Sequence, residues 1–427
     1  MNIDLLYEIY KQHPSVQTDT RQLKNGDIYF ALKGPHFNGN HFAKQALNAG
    51  ASYAVIDDNN YTIEGKTILV PDVLQALQQL ALHHRKQLSI PVLAITGSNG
   101  KTTTKELVHA VLSSTYKTTA TVGNLNNHIG IPLTLLRIPA DTEMAIIEMG
   151  ANHAGEIASY CQLALPTHGL ITNCGKAHLE GFGSIEGVKK AKGELFDYLR
   201  TLTHGYAFVM WDYDYLQQMS KGISGIIKYG TVEDVHVKGH VTESLPYMKV
   251  KVTQGLNNGI IHTQLAGDYN LPNVLAAVTI GNYFKVPDEK IVASIENYHP
   301  ANSRSQVVQI GSNQVIMDAY NANPSSMKLA IEHFARTNNK NKILLLGSMA
   351  ELGKETEKEH MDIVEEIKKH SWHYVALVGD AFKKTAHPFL QFEDAMQAKE
   401  WFSQADIHNS HILVKGSRSM QMEKIME

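Results

Sequence analysis

The stretch Ile95-Thr96-Gly97-Ser98-Asn99-Gly100-Lys101-Thr102-Thr103 constrains this chain more than any other, because it stands between a buried-strand signal and a helical one. The run Pro91-Val92-Leu93-Ala94-Ile95 is short, apolar and partly β-branched, as expected of a strand covered on both faces of a parallel sheet. After it the chain must turn sharply. Gly97 and Gly100 permit backbone angles that side chains forbid. Their amides, with the start of a helix expected from Lys101 to about Ser114, converge on an anion. Lys101 is suited to reach outer phosphates, and Thr102 offers a hydroxyl where such loops hold magnesium. Gly97, Ser98, Asn99, Gly100, Lys101, Thr102 and Thr103 are the candidate nucleotide contacts. The loop is a variant, since Ile95 stands where the general motif has its first glycine. The competing reading is an ordinary strand-to-helix turn rich in small residues.

At 427 residues the chain has length for about three domains, each able to bury its own core. Hydrophobic residues make up 43% and charged residues 19%, values of a globular chain and not a disordered or fibrous one. A net charge of -3 and the lack of any long Lys/Arg run argue against a nucleic-acid partner or a polybasic membrane anchor. Two cysteines, Cys161 and Cys174, give neither a disulfide framework nor a metal-spaced cluster. Residues 1–10 carry acids among their apolar positions and lack the basic start of a signal peptide. No apolar run reaches the roughly 18 residues of a membrane span. The expectation is a cytoplasmic protein without a membrane span.

Along the chain, Thr18-Asp19-Thr20-Arg21, Asn25-Gly26-Asp27 and the strand-like Ile28-Tyr29-Phe30-Ala31-Leu32 read as a turn-rich α/β start. Phe42, Ala43, Ala46 and Leu47 share a helical face, Gly50 ends it, and Tyr53-Ala54-Val55-Ile56 resumes as strand. Asp72 reads as the N-cap of a helix with Val73, Leu77, Leu80 and Leu88 as its apolar stripe. The polar stretch His83 to Ser89 marks the first domain boundary.

The middle segment alternates strand and helix, as a parallel sheet requires. Glu143 to Ile147 leads into Glu148, and Gly169 to Thr172 leads towards Lys176 and His178. Doubly wound sheets place their sites at the carboxyl ends of such strands. Short alternating stretches from Val235 to Leu265, with Gly255 and Asn257-Asn258-Gly259 between them, suggest antiparallel strands before a helix from Pro272 to Tyr283. A second boundary falls near His299-Pro300.

The last segment opens with a hairpin, Gln306 to Ile310 and Gln314 to Met317, turned by Gly311-Ser312-Asn313. The runs Lys342 to Gly347, Tyr374 to Gly379 and His411 to Gly416 follow with helical stretches between them. The fold class is α/β in three domains. Residues 1–85 form a small α/β N-terminal domain, residues 86–299 a central P-loop parallel-sheet ATPase domain, and residues 300–427 a C-terminal Rossmann-like domain.

By residue chemistry alone, Glu148 is suited to steady magnesium beside Thr102, or else is a solvated strand-end carboxylate. His178 is either a metal ligand or a core histidine, and its place after a parallel strand leans towards the site. Lys192, in Lys189-Lys190-Ala191-Lys192-Gly193-Glu194-Leu195-Phe196, reads as a solvated lysine of a basic helical run.

Thr96 to Thr103, Gly123-Asn124-Leu125-Asn126-Asn127-His128-Ile129-Gly130-Ile131-Pro132, Glu148-Met149-Gly150 and Lys176-Ala177-His178-Leu179-Glu180 together resemble one family. It is the Mur ligases, ATP-dependent amide-forming enzymes that build the peptide of cell-wall precursors, and the resemblance runs through nearly the whole chain. It makes these motifs a phosphate loop, a substrate loop with Asn124, Asn126 and Asn127, a metal carboxylate and a metal histidine. It matches Lys192 to a lysine that the family carbamylates, and Asn270 and Asn273 to its nucleotide-contacting asparagines, with Tyr269 where a histidine is usual. The implied magnesium ligands are Thr102, Glu148, His178 and Lys192, and the implied catalytic residues are Lys101, Glu148, His178 and Lys192.

In the third domain Asp318-Ala319-Tyr320-Asn321-Ala322-Asn323-Pro324, Gly347-Ser348-Met349-Ala350-Glu351-Leu352-Gly353 with His360, and Val414-Lys415-Gly416-Ser417-Arg418 resemble the family member that adds D-alanyl-D-alanine to UDP-N-acetylmuramoyl tripeptide. Arg304, Asp318 and Tyr320 are then nucleotide contacts, Asn321 and Asn323 substrate contacts, and Asp19, Thr20 and Arg21 a uridine-side motif with Thr20 where serine is commoner. Ser303 stands where the family usually has glycine, and Asn38-Gly39-Asn40 departs from its acidic-Gly-His run. The resemblance implies ATP and magnesium as cofactors, and a monomer is expected. The rivals are another ligase of the superfamily, including a folate-glutamate ligase, and a nucleotide-dependent switch or motor built on the same loop.

Overall fold

In the computed structural model, which describes residues 2–244, 246–257, 259–301 and 303–427, the strand before the phosphate loop is Val92–Thr96, and all of it is buried. It lies in a nine-stranded sheet. From one edge the order is Gly259–His262, Lys249–Gln254, Val237–Glu243, Gly225–Gly230, Tyr206–Met210, His168–Ile171, Val92–Thr96, Met144–Glu148 and Thr118–Ala120. Met144–Glu148 pairs parallel with both Val92–Thr96 and Thr118–Ala120, while the first two pairings of that order, Gly259–His262 with Lys249–Gln254 and Lys249–Gln254 with Val237–Glu243, are antiparallel. The expected antiparallel stretch after Val235 is thus present; Asn258, within its expected turn, lies outside the described residues.

The chain divides into two compact units. The first comprises residues 1–95, 116–151 and 156–169. Its small sheet, Val16–Gln17, Ile28–Phe30, Tyr53–Ile56 and Thr67–Leu69 in that order, is parallel throughout. Tyr29, Ala31, Ala54 and Ile56 pack on Ala43, Ala46 and Ala51, so small residues let the helix sit close to the strands.

The helix Val73–Gln87 starts as its sequence predicts, with Asp72 Oδ1 accepting from the Gln75 N–H at 2.7 Å. Its expected stripe ends early, because Leu88 is the C-cap. The polar stretch from His83 is mostly helix, and Arg85 within it is buried. The Arg85 guanidinium donates to the carbonyls of Ala164, Leu88 and Leu165 at 2.8, 2.6 and 3.0 Å, which satisfies a buried cation with helix-end and loop oxygens.

The second unit comprises residues 96–115, 152–155 and 170–427. Its six-stranded sheet runs Gln306–Ile310, Asn313–Asp318, His411–Lys415, Lys342–Gly347, Tyr374–Val378, Leu390–Phe392. The first pair is the expected hairpin, and the remaining pairings are parallel. The helix Leu271–Tyr283 is apolar nearly all round and buried along most of its length, as a helix with packing on every side must be. It lies against Lys101–Ser113, the helix that follows the phosphate loop.

Candidate active site

The phosphate loop is shaped by close approach. Gly97 has φ 145°, and a Cβ there would stand 1.9 Å from Thr172 Oγ1; Gly100 has φ 80° and caps the helix Lys101–Ser113. Only glycine meets both demands without strain. The loop is then clamped by the chain that leaves the neighbouring strand. The Ser98 N–H donates to Asn173 O at 2.9 Å and the Asn99 N–H to Asn173 Oδ1 at 3.1 Å. Thr172 Oγ1 and Asn173 Nδ2 donate to Asn99 O at 2.6 and 3.1 Å, and the Gly175 N–H donates to Ser98 Oγ at 3.0 Å. Lys101 Nζ folds back onto the carbonyls of Gly97 and Ser98 at 2.7 and 3.3 Å.

Asn270 and Asn273 are buried behind the loop. Asn273 Oδ1 accepts from Thr104 Oγ1 at 3.0 Å, its Nδ2 donates to Asn270 Oδ1 at 2.9 Å, and Asn270 Nδ2 donates to Ala266 O at 2.8 Å. Their side chains therefore brace the loop from within. Tyr269, at the position where the family has histidine, shares a hydroxyl contact of 3.2 Å with Ser305.

The six-stranded sheet of the same unit brings one of the expected residues, Asn323, to the loop. Asn323 caps the helix Pro324–Ala335 by accepting from the Ser326 N–H at 2.9 Å, while its Nδ2 donates to Asn99 Oδ1 at 2.7 Å. Asp318 ends its strand, accepting from Lys415 Nζ at 2.5 Å and from the Ser305 N–H at 3.1 Å. The Arg304 guanidinium lies 3.5 Å from the centre of the Tyr320 ring. Ser303 and Ser305 have φ of 54° and 52°, so the glycine usual at position 303 has a physical reason: serine holds a left-handed angle there. Asn321 Oδ1 accepts from the Ala322 N–H at 3.0 Å.

His178, at φ 50°, caps the short helix Leu179–Phe182. Its Nδ1 is sealed from solvent 2.5 Å from Glu351 Oε2, a carboxylate–imidazole contact whose angle departs from that of a straight hydrogen bond. His178 first, then Lys101, hold the Glu351 carboxyl below its usual range, against the opposing effect of burial. Lys192 corrects an expectation. It is 1% exposed instead of solvated, with Nζ 5.2 Å from the centre of the Phe182 ring, while Lys190 beside it is exposed. The amphipathic helix Ile185–Arg200 turns Lys192 inward with Val188, Leu195 and Phe196.

In the first unit Glu148 ends its strand and is 2% exposed. Its Oε1 accepts from Asn126 Nδ2 at 2.7 Å, and its Oε2 is buried without a hydrogen-bond partner. A buried carboxylate short of one partner calls for a cation. Asn127 Oδ1 accepts from the Ile129 and Gly130 N–H groups at 3.1 and 2.9 Å, and Asn124 is exposed, its carbonyl accepting from the Asn126 N–H. Asp19 caps the turn Thr20–Gln22 and grips Arg21 through two oxygens, at 2.9 Å to Nε and 2.7 Å to Nη2. That grip, chiefly the Arg21 side-chain bond, holds the Asp19 carboxyl down to about 2.

Among the described residues no three of His, Cys, Asp and Glu gather as a ready metal site. The orphaned Glu148 oxygen and the Thr102 hydroxyl, partly exposed at the helix start, each fit magnesium, a hard cation that takes few protein ligands and keeps phosphate and water oxygens. The residues missed by sequence reasoning are Thr172, Asn173 and Glu351, together with Lys176, whose Nζ donates to the buried Glu359 at 2.6 Å. Asn173 had a signal, a polar residue just past a buried strand; Glu351 had none outside its motif.

Models of the Mur ligase family match three stretches: the catalytic domain at residues 14–85, the middle domain at 95–281 and the glutamate ligase domain at 303–418. The chain is 35% identical over 430 residues to the UDP-N-acetylmuramoyl-tripeptide–D-alanyl-D-alanine ligase of Bacillus subtilis (strain 168), covering 96% of this chain and 92% of that one. It belongs to the Mur ligase family. The enzyme of the same name from Escherichia coli (strain K12) is 36% identical over 428 residues, with the same coverage. Among solved structures, this Mur ligase superimposes on MurF from Acinetobacter baumannii with a TM-score of 0.85 at 30% identity, covering 96% and 92% of the two chains. MurF of Thermotoga maritima, solved in complex with ADP, has the same fold at a TM-score of 0.85 and 22% identity, covering 97% of this chain and 96% of that one. The expected three-domain α/β architecture is therefore that of the family. Among the described residues no helix is long and apolar enough to cross a membrane.

Proposed function

We propose that this Mur ligase joins D-alanyl-D-alanine to UDP-N-acetylmuramoyl tripeptide with cleavage of ATP to ADP and phosphate, a cytoplasmic step of peptidoglycan precursor synthesis. The observation that carries it is the hydrogen bond from Asn323 to Asn99, which ties the phosphate loop to the start of a helix on the six-stranded sheet. A switch or motor needs no such partner; a ligase must hold ATP against a second reactant. The two curated relatives of that activity, each matched over 92% of its length, support the choice of substrates.

The tripeptide carboxylate is a poor acyl donor, so its oxygen attacks the γ-phosphorus of ATP and ADP departs. The amine of D-alanyl-D-alanine then attacks the acyl carbon, and phosphate leaves as the amide forms. Lys101, released from the Gly97 and Ser98 carbonyls, neutralises the outer phosphates, and the loop amides hold the inner ones. Arg304, Asp318 and Tyr320 meet the nucleotide. Asn321 and Asn323 with Asn124, Asn126 and Asn127 serve the substrates, and Asp19, Thr20 and Arg21 the uridine end. Magnesium, when bound, adds charge neutralisation at the phosphates. Thr102, Glu148, His178 and a carbamylated Lys192 are the groups fit to face it. Domains at residues 1–85, 86–299 and 300–427 divide these tasks.

The test is phosphate release with ATP, the UDP-tripeptide and D-alanyl-D-alanine, each omitted in turn. Release should need all three; equal release without the tripeptide would overturn the reading, and release with glutamate in place of the dipeptide would favour another ligase of the superfamily.

A further inference from the structure

Two residues at the phosphate site hold left-handed backbone angles. His178 has φ 50° and Glu351 φ 63°, both in the left-handed region that glycine occupies freely and other residues enter at a cost. Two positions after Glu351 the chain uses glycine for the same purpose, with Gly353 at φ 54°. A carboxylate kept at such a position is a sign that the side chain does something a glycine could not.

The loop that carries it is fixed from both sides. The Glu180 N–H donates to Glu351 O at 3.1 Å, which docks the loop on the helix that His178 caps. Behind it, the Met349 N–H donates to His360 Nε2 at 2.9 Å, and His360 Nδ1 meets Thr356 O at 2.6 Å. Both ring nitrogens of this fully buried histidine are engaged, so His360 is a neutral peg that fixes where the loop leaves its strand. The result is Glu351 Oε2 set 2.5 Å from His178 Nδ1. A carboxylate beside one ring nitrogen favours, by its charge, the tautomer with the proton there and leaves the other nitrogen's lone pair to a ligand.

We propose that Glu351 is a positioning residue for His178, holding the imidazole with Nε2 free to face the divalent cation of the phosphate site. The inference rests on the magnesium role of His178 in the function proposed above. It makes the cation site depend on the Met349–Gly353 loop of the six-stranded sheet as well as on the phosphate loop.

The test is Mn2+ binding in the presence of ADP, read as loss of the free-ion electron paramagnetic resonance signal, with thermal melting in parallel. Glu351→Gly removes the carboxylate and relieves the backbone, so it should melt at or above wild type yet bind Mn2+ at least about tenfold more weakly. Glu351→Gln should weaken the ion in the same direction, with ADP affinity in the absence of metal unchanged. In a His178→Ala background Glu351→Gln should add nothing. If both Glu351 variants keep Mn2+ affinity within about twofold of wild type while His178→Ala loses it, the positioning role is wrong and the role of His178 stands. If Glu351→Gln weakens the ion equally with and without His178, Glu351 acts on the ion directly and the inference also fails. If His178→Ala itself leaves Mn2+ binding intact, the metal role of His178 and this inference fall together.

Discussion

The phosphate loop and the turn around Asp19 hold their polar groups in opposite ways. In the loop, Ser98 and Asn99 are held by partners far along the chain, at Thr172, Asn173, Gly175 and Asn323. In the turn, Asp19 and Arg21 satisfy each other across two positions, and the Arg21 side chain is 86% exposed. A site fixed by distant contacts is preorganised and exists only in the folded chain. A site fixed by its own neighbours forms locally and remains open to rearrangement when a ligand arrives.

The comparison breaks first at Lys101. Two of its bonds are to carbonyls of its own loop, and Lys101→Ala removes a cation preorganised for phosphate. Turnover should fall at least about a hundredfold, measured as kcat for phosphate release; a near-normal rate would mean that the loop's order serves the fold alone.

Lys192 sharpens the same point. Carbamylation by carbon dioxide turns this cation into an anion, and arginine cannot carry that modification. Lys192→Arg should lose at least about tenfold in rate and gain nothing from bicarbonate, whereas the wild type should slow in carbon-dioxide-free buffer and recover with bicarbonate. Wild-type ligation by Lys192→Arg without carbon dioxide would contradict the carbamate.

Gly97→Ala asks how rigid the loop is. The new methyl would stand 1.9 Å from Thr172 Oγ1 at a φ that disfavours side chains, so denaturant unfolding should show a loss of about 2 kcal/mol. An unchanged midpoint would show that the clamp yields.

The smallest effect belongs to Asp19→Asn. The Asp19 carboxyl is held down to about 2, so its pairing contributes stability above the unfolded pKa of about 3.9, and that contribution is lost as pH falls through the range between them. The variant should flatten the acid limb of the stability curve slightly, because so exposed a pair contributes little. It should raise KM for the nucleotide sugar with kcat held. A fall in kcat with KM unchanged would place the turn at the chemistry instead.

Much of this organisation is legible in residue order because local rules carry it. The strand, loop and helix at 92–113 follow from an apolar run and two glycines, the hairpin at 306–318 from alternation around Gly311, and the start of the helix at 73 from the Asp72 cap. What is not legible depends on partners far away in sequence. The lysine run at 189–192 looks solvated until the helix is seen to turn Lys192 inward. His83 to Gln87 looks like a linker until carbonyls at 164 and 165 satisfy Arg85. Glu351 gains meaning only once it meets His178. Asn126 and Asn127, expected at the substrate, also brace Glu148 and accept from the Ile129 and Gly130 N–H groups, a local duty that a motif does not reveal.

The central claim is that ATP activates the tripeptide by accepting its carboxylate oxygen at the γ-phosphorus. Ligation with the tripeptide's terminal carboxylate labelled with oxygen-18, followed by mass analysis of the released phosphate, tests it most directly. The account predicts one labelled oxygen in each phosphate, because the bond broken when the amine attacks lies between the acyl carbon and that oxygen. Phosphate released at the ligation rate but free of label would contradict it.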